Sequence, residues 1–120
     1  MTRYLVAAAS PETATAACDY LDGTVEDGDE VFVLTVQEEA RPVEGRAAVS
    51  GVAQDRLAGR ATVRTYRKTG TPDRVIVAFA RERGVDQIVL GPNRGGDAGI
   101  GSTTRSVLAT VDAPVFVVPG

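Results

Sequence analysis

Five glycines and a run of hydroxyl side chains lie close together between residues 91 and 106, in the segment best suited to chemistry. A glycine-rich loop that opens a helix can bind phosphate, because its backbone amides approach the anion closely and the helix dipole favours negative charge. Arg94, in the same segment, is a cation that could reach such an anion. The alternative is a tight connection between a strand and a helix, in which Ser102 only caps the helix.

The residue content excludes several other kinds of site. The chain has no histidine and a single cysteine, which removes Ser-His and Cys-His pairs and leaves carboxylates alone to bind zinc. The two standard nucleotide motifs, Gly-x4-Gly-Lys-Ser/Thr and Gly-x-Gly-x2-Gly after the first strand, are absent as well. Cys18 falls on an apolar helical stripe, so we expect a small buried side chain rather than a reactive thiol.

The net charge and the hydropathy pattern limit the classes of partner that the protein is expected to bind. A net charge of −3 without a basic tract argues against nucleic acid, and no apolar run approaches the roughly 18 residues of a membrane span. One cysteine and no signal-peptide pattern predict a cytoplasmic location. We expect three charged groups to be solvated surface: the acidic turn Glu26–Glu30, the basic patch Arg64, Arg67 and Lys68, and the helix end 81–83.

Apolar runs and amphipathic stripes alternate along the chain, which predicts a parallel sheet with helices on both faces in one domain, residues 1–120. Strands are predicted at 3–9, 31–36, 61–67 (an exposed edge), 85–91 and 115–118. Helices are predicted from Pro11 to a glycine cap at Gly23, across the stripe Ala48–Leu57, within 69–84 with Thr71 as the cap, and at 102–111 with Val107, Leu108 and Val111 inward.

Two segments carry a resemblance to a known family. The first, GTPDRVIVAFARERGVDQIVLG, has Gly70 and Pro72 at a helix start, Asp86 before a strand and Gly91 at the strand's end. The second, STTRSVLATVDAPVFVV, follows Gly101 and contains an Ala-Pro-Val turn before the last strand. Together they resemble the universal stress proteins of the UspA type, over essentially the whole chain and most closely from residue 69 onward.

The resemblance implies an open five-stranded parallel sheet of order 3-2-1-4-5, which is Rossmann-like and similar to the adenine nucleotide alpha hydrolases. Ligands of such sheets bind at the carboxyl ends of the strands where the order reverses, and many members of the family bind AMP or ATP, the latter with Mg²⁺. Phosphates would lie on the glycine loop and adenine against the end of strand 2. The implied binding residues are Ala9, Ser10, Val36, Gly91, Arg94, Gly95, Gly96, Gly101, Ser102 and Thr103.

The sequence departs from the family pattern in two places. The family spacing is Gly-x2-Gly-x9-Gly-Ser/Thr, whereas this loop is Gly91-x3-Gly95-x5-Gly101-Ser102. Ala9 also stands where the family has an aspartate, which removes a charged hydrogen bond worth about 1.5–3 kcal/mol. Two functions therefore stay open: a nucleotide-binding regulatory module, and a nucleotide-free scaffold. A slow ATPase ranks last, because no group to activate water can be named.

The last strand predicts self-association. It is apolar, it lies at a sheet edge in this topology, and exposed apolar edges favour pairing with another chain. Members of the family dimerise through this strand, so the resemblance implies a homodimer interface of Val115, Phe116, Val117 and Val118. The alternative is that the last helix and the tail cover the edge.

Overall fold

The chain forms a five-stranded parallel sheet of order β3-β2-β1-β4-β5, which confirms the predicted fold class. The structure, a computed structural model, describes residues 1–8, 11–37, 51, 56–57, 59, 61–91 and 102–118, with backbone alone at 11, 12, 37, 102 and 103. Its strands are β1 (Arg3–Ala7), β2 (Glu30–Gln37), β3 (Thr62–Thr69), β4 (Gln87–Leu90) and β5 (Val115–Val117). Its helices are α1 (Pro11–Asp22), α2 (Pro72–Arg83) and α3 (Ser102–Thr110).

Each face of the sheet has its own apolar core. On one face, the α1 stripe of Ala14, Ala17, Cys18 and Leu21 packs against β1 and β2 together with Leu57, which is fully buried. On the other face, α2 and α3 pack against the alternate strand residues through Ile76, Phe79 and Val107. Residues of one strand alternate between the two cores, because successive side chains point to opposite faces.

The predicted helix at Ala48–Leu57 lies mostly outside the described residues. Within it, Gly51, Arg56 and Leu57 are helical. Arg56 forms an ion pair with Asp19 of α1. Among the described residues, no helix is long and apolar enough to cross a membrane.

Three details of the helices differ from the sequence predictions. Leu108 was predicted to face inward but is 45% exposed, whereas Val107 is fully buried. Thr71 has the extended backbone of a cap, but its side chain makes no cap hydrogen bond with the described residues. Gly23 lies outside the left-handed region, which Gly84 occupies at the end of α2 with φ 61°. The end of α1 is instead closed by Thr24 and Val25, whose amides donate to the Leu21 carbonyl.

The acidic turn Glu26–Glu30 was predicted to be solvated, and this is wrong for Asp29. Its side chain is 4% exposed and its two carboxylate oxygens accept the backbone N–H groups of Thr2 (2.8 Å) and Glu26 (2.9 Å). These hydrogen bonds hold the pKa of Asp29 below its ordinary value, because they stabilise the ionised form. Asp29 therefore joins the start of β1 to the turn before β2.

The charged end of α2 is also more structured than predicted. The Arg81 guanidinium donates to the Thr110 carbonyl at 3.0 Å. The Arg83 guanidinium lies over two aromatic rings, 4.9 Å from the centre of Tyr66 and 5.3 Å from that of Phe79. Both arginines remain exposed at the surface. They contribute packing and hydrogen bonding as well as charge.

Candidate functional site

The order of the strands reverses between β1 and β4. From β1 the chain proceeds through β2 to β3 on one side, and from β4 to β5 on the other. The last paired residues of these central strands are neighbours, with Ala7 opposite both Leu34 and Leu90. In an open parallel sheet, such a reversal leaves a crevice outside the carboxyl ends of the strands. We call the region beyond Ala7 and Leu90 the switch-point edge.

Two helices begin at the switch-point edge. Helix α1 starts at Pro11, shortly after β1 ends. Helix α3 starts at Ser102 and leads to β5, whose first residue pairs with Ile88 near the start of β4, so α3 must run back from the carboxyl edge. A helix start carries partial positive charge and free N–H groups, which favour an anion. This edge therefore has the polarity that a phosphate requires.

Thr13 packs closely against Gly91 at the switch-point edge. A Cβ placed on Gly91 would lie 2.2 Å from Cγ2 and 2.9 Å from Oγ1 of Thr13. Gly91 does not have a left-handed backbone. Glycine is therefore required at position 91 because a side chain would collide with Thr13, and not because the backbone is left-handed. Thr13, in the first turn of α1, is 8% exposed, so the contact holds α1 directly against the end of β4.

Thr13 is the residue at this edge that sequence reasoning missed. Gly91 was predicted to bind phosphate. In the structure, its lack of a side chain leaves room for the Thr13 side chain. A weak signal existed, since a glycine directly after a buried strand often marks close approach of another segment. Its partner could not be read from the sequence, because Thr13 and Gly91 meet only in the folded chain.

The predicted nucleotide residues fall into three groups. Gly91 and Val36 lie at the carboxyl ends of β4 and β2, as predicted, and Val36 is partly buried against the core beneath α2 and α3. Ser102 and Thr103 form the start of α3, where the structure describes the backbone alone. Ala9, Ser10, Arg94, Gly95, Gly96 and Gly101 lie outside the described residues.

Three buried threonines lie in the elements that end or begin at this edge. Thr13, Thr35 and Thr104 are the third residue of α1, a residue near the end of β2 and the third residue of α3, and each is at most 8% exposed. Across the described ranges, no three His, Cys, Asp or Glu side chains come together as metal ligands. The described part of the edge is therefore polar and contains no cluster of metal-ligating carboxylates.

The second surface of interest is the edge strand β5. Among the described residues, the large apolar side chains left exposed, apart from Met1, are Leu108, Phe116 and Val117. The Phe116 ring stacks on Tyr20 of α1 with 4.1 Å between ring centres, which fixes its position. Val118 was also predicted at this interface, but its side chain is 2% exposed and belongs to the core beneath α1.

The described residues indicate no chemical role for Cys18. It is 1% exposed within the core beneath α1, and burial raises the pKa of its thiol to about 11. A thiol in this state is a poor nucleophile at neutral pH. The prediction of a buried, structural cysteine is confirmed.

Comparison with solved structures supports the fold independently. The chain resembles hypothetical protein MJ0577, the subject of a structure-based assignment of biochemical function, with a TM-score of 0.83, 21% identity and coverage of 99% of this chain and 96% of that chain. It resembles a universal stress protein family protein of Arabidopsis thaliana with AMP bound, with a TM-score of 0.70, 16% identity and coverage of 99% and 92%.

A third similar structure is the universal stress protein of Archaeoglobus fulgidus in complex with dAMP, with a TM-score of 0.70, 19% identity and coverage of 98% of both chains. At these identities the likeness concerns the fold alone. No curated protein sequence matches the chain. A family model, the universal stress protein family, matches residues 1–119, and on that match the chain belongs to the universal stress protein family.

Proposed function

We propose that the protein is a stress-response regulatory module that binds an adenine nucleotide, AMP or ATP, at the switch-point edge. The observation that carries the proposal is the reversal of strand order between β1 and β4, with two helix starts facing the same crevice. The proposed binding residues are Ala9, Ser10, Val36, Gly91, Arg94, Gly95, Gly96, Gly101, Ser102 and Thr103.

Each part of the nucleotide would have a distinct set of contacts. The phosphates would accept backbone N–H groups of the glycine loop and hydroxyl groups at the start of α3, near Ser102. Adenine would lie against the backbone at the end of β2, beside Val36. Ala9 offers no carboxylate, so most of the binding free energy would come from the phosphates. Adenosine should then bind much more weakly than AMP.

Relatives of the same fold support this choice of ligand. One solved relative has AMP bound and another is a complex with dAMP. Both are universal stress proteins whose folds match nearly the whole of this chain. If ATP is the ligand, Mg²⁺ would arrive with the triphosphate, since the described residues bring no cluster of metal ligands together.

The second candidate function is a nucleotide-free homodimeric scaffold. The observation favouring it is that Leu108 of α3 and Phe116 and Val117 of β5 are exposed apolar side chains. Strand β5 is short, has no neighbouring strand on one side among the described residues, and exposes valine and phenylalanine side chains, so it can pair with a second copy. The missing carboxylate at Ala9 also favours this candidate. Homodimerisation through β5 is compatible with both functions, so only nucleotide binding separates them.

Calorimetric titration of AMP, ATP and adenosine separates the candidates. We expect a micromolar dissociation constant for AMP or ATP, equivalent to about −8 kcal/mol, and a large loss for adenosine. Ser102→Ala should weaken binding about tenfold by removing a hydrogen bond to a charged group. Ser106→Ala, one turn further along α3, is the matched control and should bind as the wild type does. Absence of heat at millimolar AMP and ATP would favour the scaffold.

A further inference from the structure

A groove runs between α2 and α3, on the face of the sheet opposite α1. Its volume is about 240 Å³, and five residues of α2 line it together with Ser106 and Thr110 of α3. Among the lining residues, Val77 is buried and Ala78 is exposed, so the groove has an apolar base and opens to solvent. Pockets for drug-sized ligands begin at about 300 Å³, so this groove suits a ligand of only a few heavy atoms. We call it the α2–α3 groove.

Two exposed arginines of α2 bring positive charge to the α2–α3 groove. Arg74 and Arg81 both line it, and they project from the same side of α2 because seven residues are about two turns of helix. The Arg81 guanidinium donates to the Thr110 carbonyl at 3.0 Å, which fixes it beside the groove and leaves other N–H groups to donate. Guanidinium groups bind oxyanions with charge-assisted hydrogen bonds, so these two residues favour an oxyanion as the ligand.

A carboxylate in the same groove restricts which oxyanion fits. Asp73, in the first turn of α2, lines the groove together with the two arginines. The ion pairs among the described residues include neither Asp73 nor Arg74. An ionised carboxylate only accepts hydrogen bonds and repels an anion that has no proton to donate. The favoured ligand therefore accepts hydrogen bonds from the arginines and donates one to Asp73.

We propose that the α2–α3 groove binds inorganic hydrogen phosphate, with Arg74 and Arg81 donating to its oxygens and its P–OH group donating to Asp73. Sulfate has a similar shape but no proton, so Asp73 would repel it. The phosphate of AMP is a monoester, which is mainly a dianion without a proton above about pH 7, so it is disfavoured in the same way. The proposal is therefore independent of nucleotide binding at the switch-point edge.

Amide chemical shifts of the isotope-labelled, full-length protein measure this binding. Sodium phosphate and sodium sulfate would be titrated separately at about pH 8 and constant ionic strength, where both anions are mainly doubly charged and only phosphate retains a proton. We expect phosphate to bind with a dissociation constant of about 1 mM and to shift the amides of Ala78, Arg81 and Thr110. Sulfate should bind at least about tenfold more weakly. Equal affinity for the two anions, or no saturable binding of phosphate well above this concentration, would overturn the proposal.

Two variants test the arginine and the carboxylate separately. Arg74→Gln should weaken phosphate binding about fivefold, the effect of one exposed ion pair at the upper end of the measured range. Asp73→Asn should bring the affinity for sulfate within about twofold of that for phosphate, because the neutral amide no longer repels sulfate. A tenfold preference for phosphate that survives in Asp73→Asn would overturn the assigned role of the carboxylate. The matched control is Arg105→Gln, which removes an exposed arginine of α3 outside the groove lining and should leave both affinities unchanged.

A competition experiment separates the α2–α3 groove from the switch-point edge, which also favours anions. Circular dichroism would first check that each variant is folded. We expect saturating AMP to leave the phosphate-induced shifts at Ala78, Arg81 and Thr110 unchanged. Phosphate-induced shifts centred on Gly91 that AMP abolishes would place the phosphate at the switch-point edge and overturn the proposal. Failure of AMP to bind at all would count against the proposed nucleotide function and not against the groove.

Discussion

The contact between Gly91 and Thr13 makes a sharp quantitative prediction for Gly91→Ala. The new Cβ would lie 2.2 Å from Cγ2 of Thr13, a distance at which carbon atoms repel strongly. Both residues are held by packed elements, since Gly91 follows the buried end of β4 and Thr13 lies in the first turn of α1. Overpacking of this kind costs about 1–3 kcal/mol. We therefore expect Gly91→Ala to lower the free energy of unfolding by about 2 kcal/mol, or about 8 °C in Tm.

Truncation of Thr13 should restore much of this loss. Thr13→Ala removes both Cγ2 and Oγ1, and leaves the Thr13 Cβ as the nearest atom, 3.1 Å from the new methyl group. The Gly91→Ala, Thr13→Ala double variant should then be more stable than the sum of the two single effects predicts. We expect a coupling free energy of about 1 kcal/mol or more, as is common for residues in direct contact.

Urea denaturation followed by circular dichroism measures all four proteins of this cycle. Gly23→Ala is the matched control, because Gly23 has an ordinary backbone and its Cβ would meet the Tyr20 carbonyl oxygen at 4.0 Å. It should leave stability nearly unchanged. Wild-type stability for Gly91→Ala, or additive effects in the cycle, would refute the claim that close approach of α1 to β4 requires glycine.

Three further predictions follow from other contacts. Asp29→Asn should reduce stability by about 2 kcal/mol at pH 7, because a carboxamide cannot accept both backbone N–H groups. Since the pKa of Asp29 is lowered in the folded protein, its contribution exists above the unfolded pKa of about 4 and is lost as the pH falls, so the variant should show a weaker pH dependence in acid. Burial raises the pKa of Cys18 to about 11, so a thiol reagent at pH 8 should modify it only after denaturation; rapid reaction of the folded protein would contradict its buried position. Val117→Glu, at an exposed position of β5, should convert the proposed dimer to a monomer in analytical ultracentrifugation, and a dimer that survives would exclude β5 from the interface.

The fold could be predicted largely from local patterns. Apolar runs bounded by turn residues located the five strands, and a stripe of small apolar residues on α1 predicted its buried face correctly. The edge position of β3 followed from its mixture of charged and apolar residues. These features depend on the alternation of side chains along a strand and on the helical repeat, both of which are local.

The failures concern contacts that form only in the folded chain. Leu108 follows an inward residue, Val107, but projects about 100° further around the helix, where none of the described residues covers it. Asp29 belongs to an acidic turn and is nevertheless buried, because the amides of Thr2 and Glu26 converge on it. Periodicity contains no information about such partners.

The sequence could indicate which edge of the sheet holds the candidate site, but not which side chains meet there. Glycines and hydroxyls after β4 pointed to an anion at a helix start, and the described ends of β1 and β4 are neighbours as expected. The role of Gly91 in admitting Thr13 could not be predicted, because it depends on how α1 crosses the end of β4.

The measurement that tests the central claim most directly is a titration of the isotope-labelled protein with AMP, followed by amide chemical shifts. If the nucleotide binds at the switch-point edge, the largest shift changes will be at Gly91, Thr104 and the first turn of α1. Residues of β3, at the far edge of the sheet, should change little. Absence of change at millimolar AMP, or changes centred away from the ends of β1 and β4, would contradict the account.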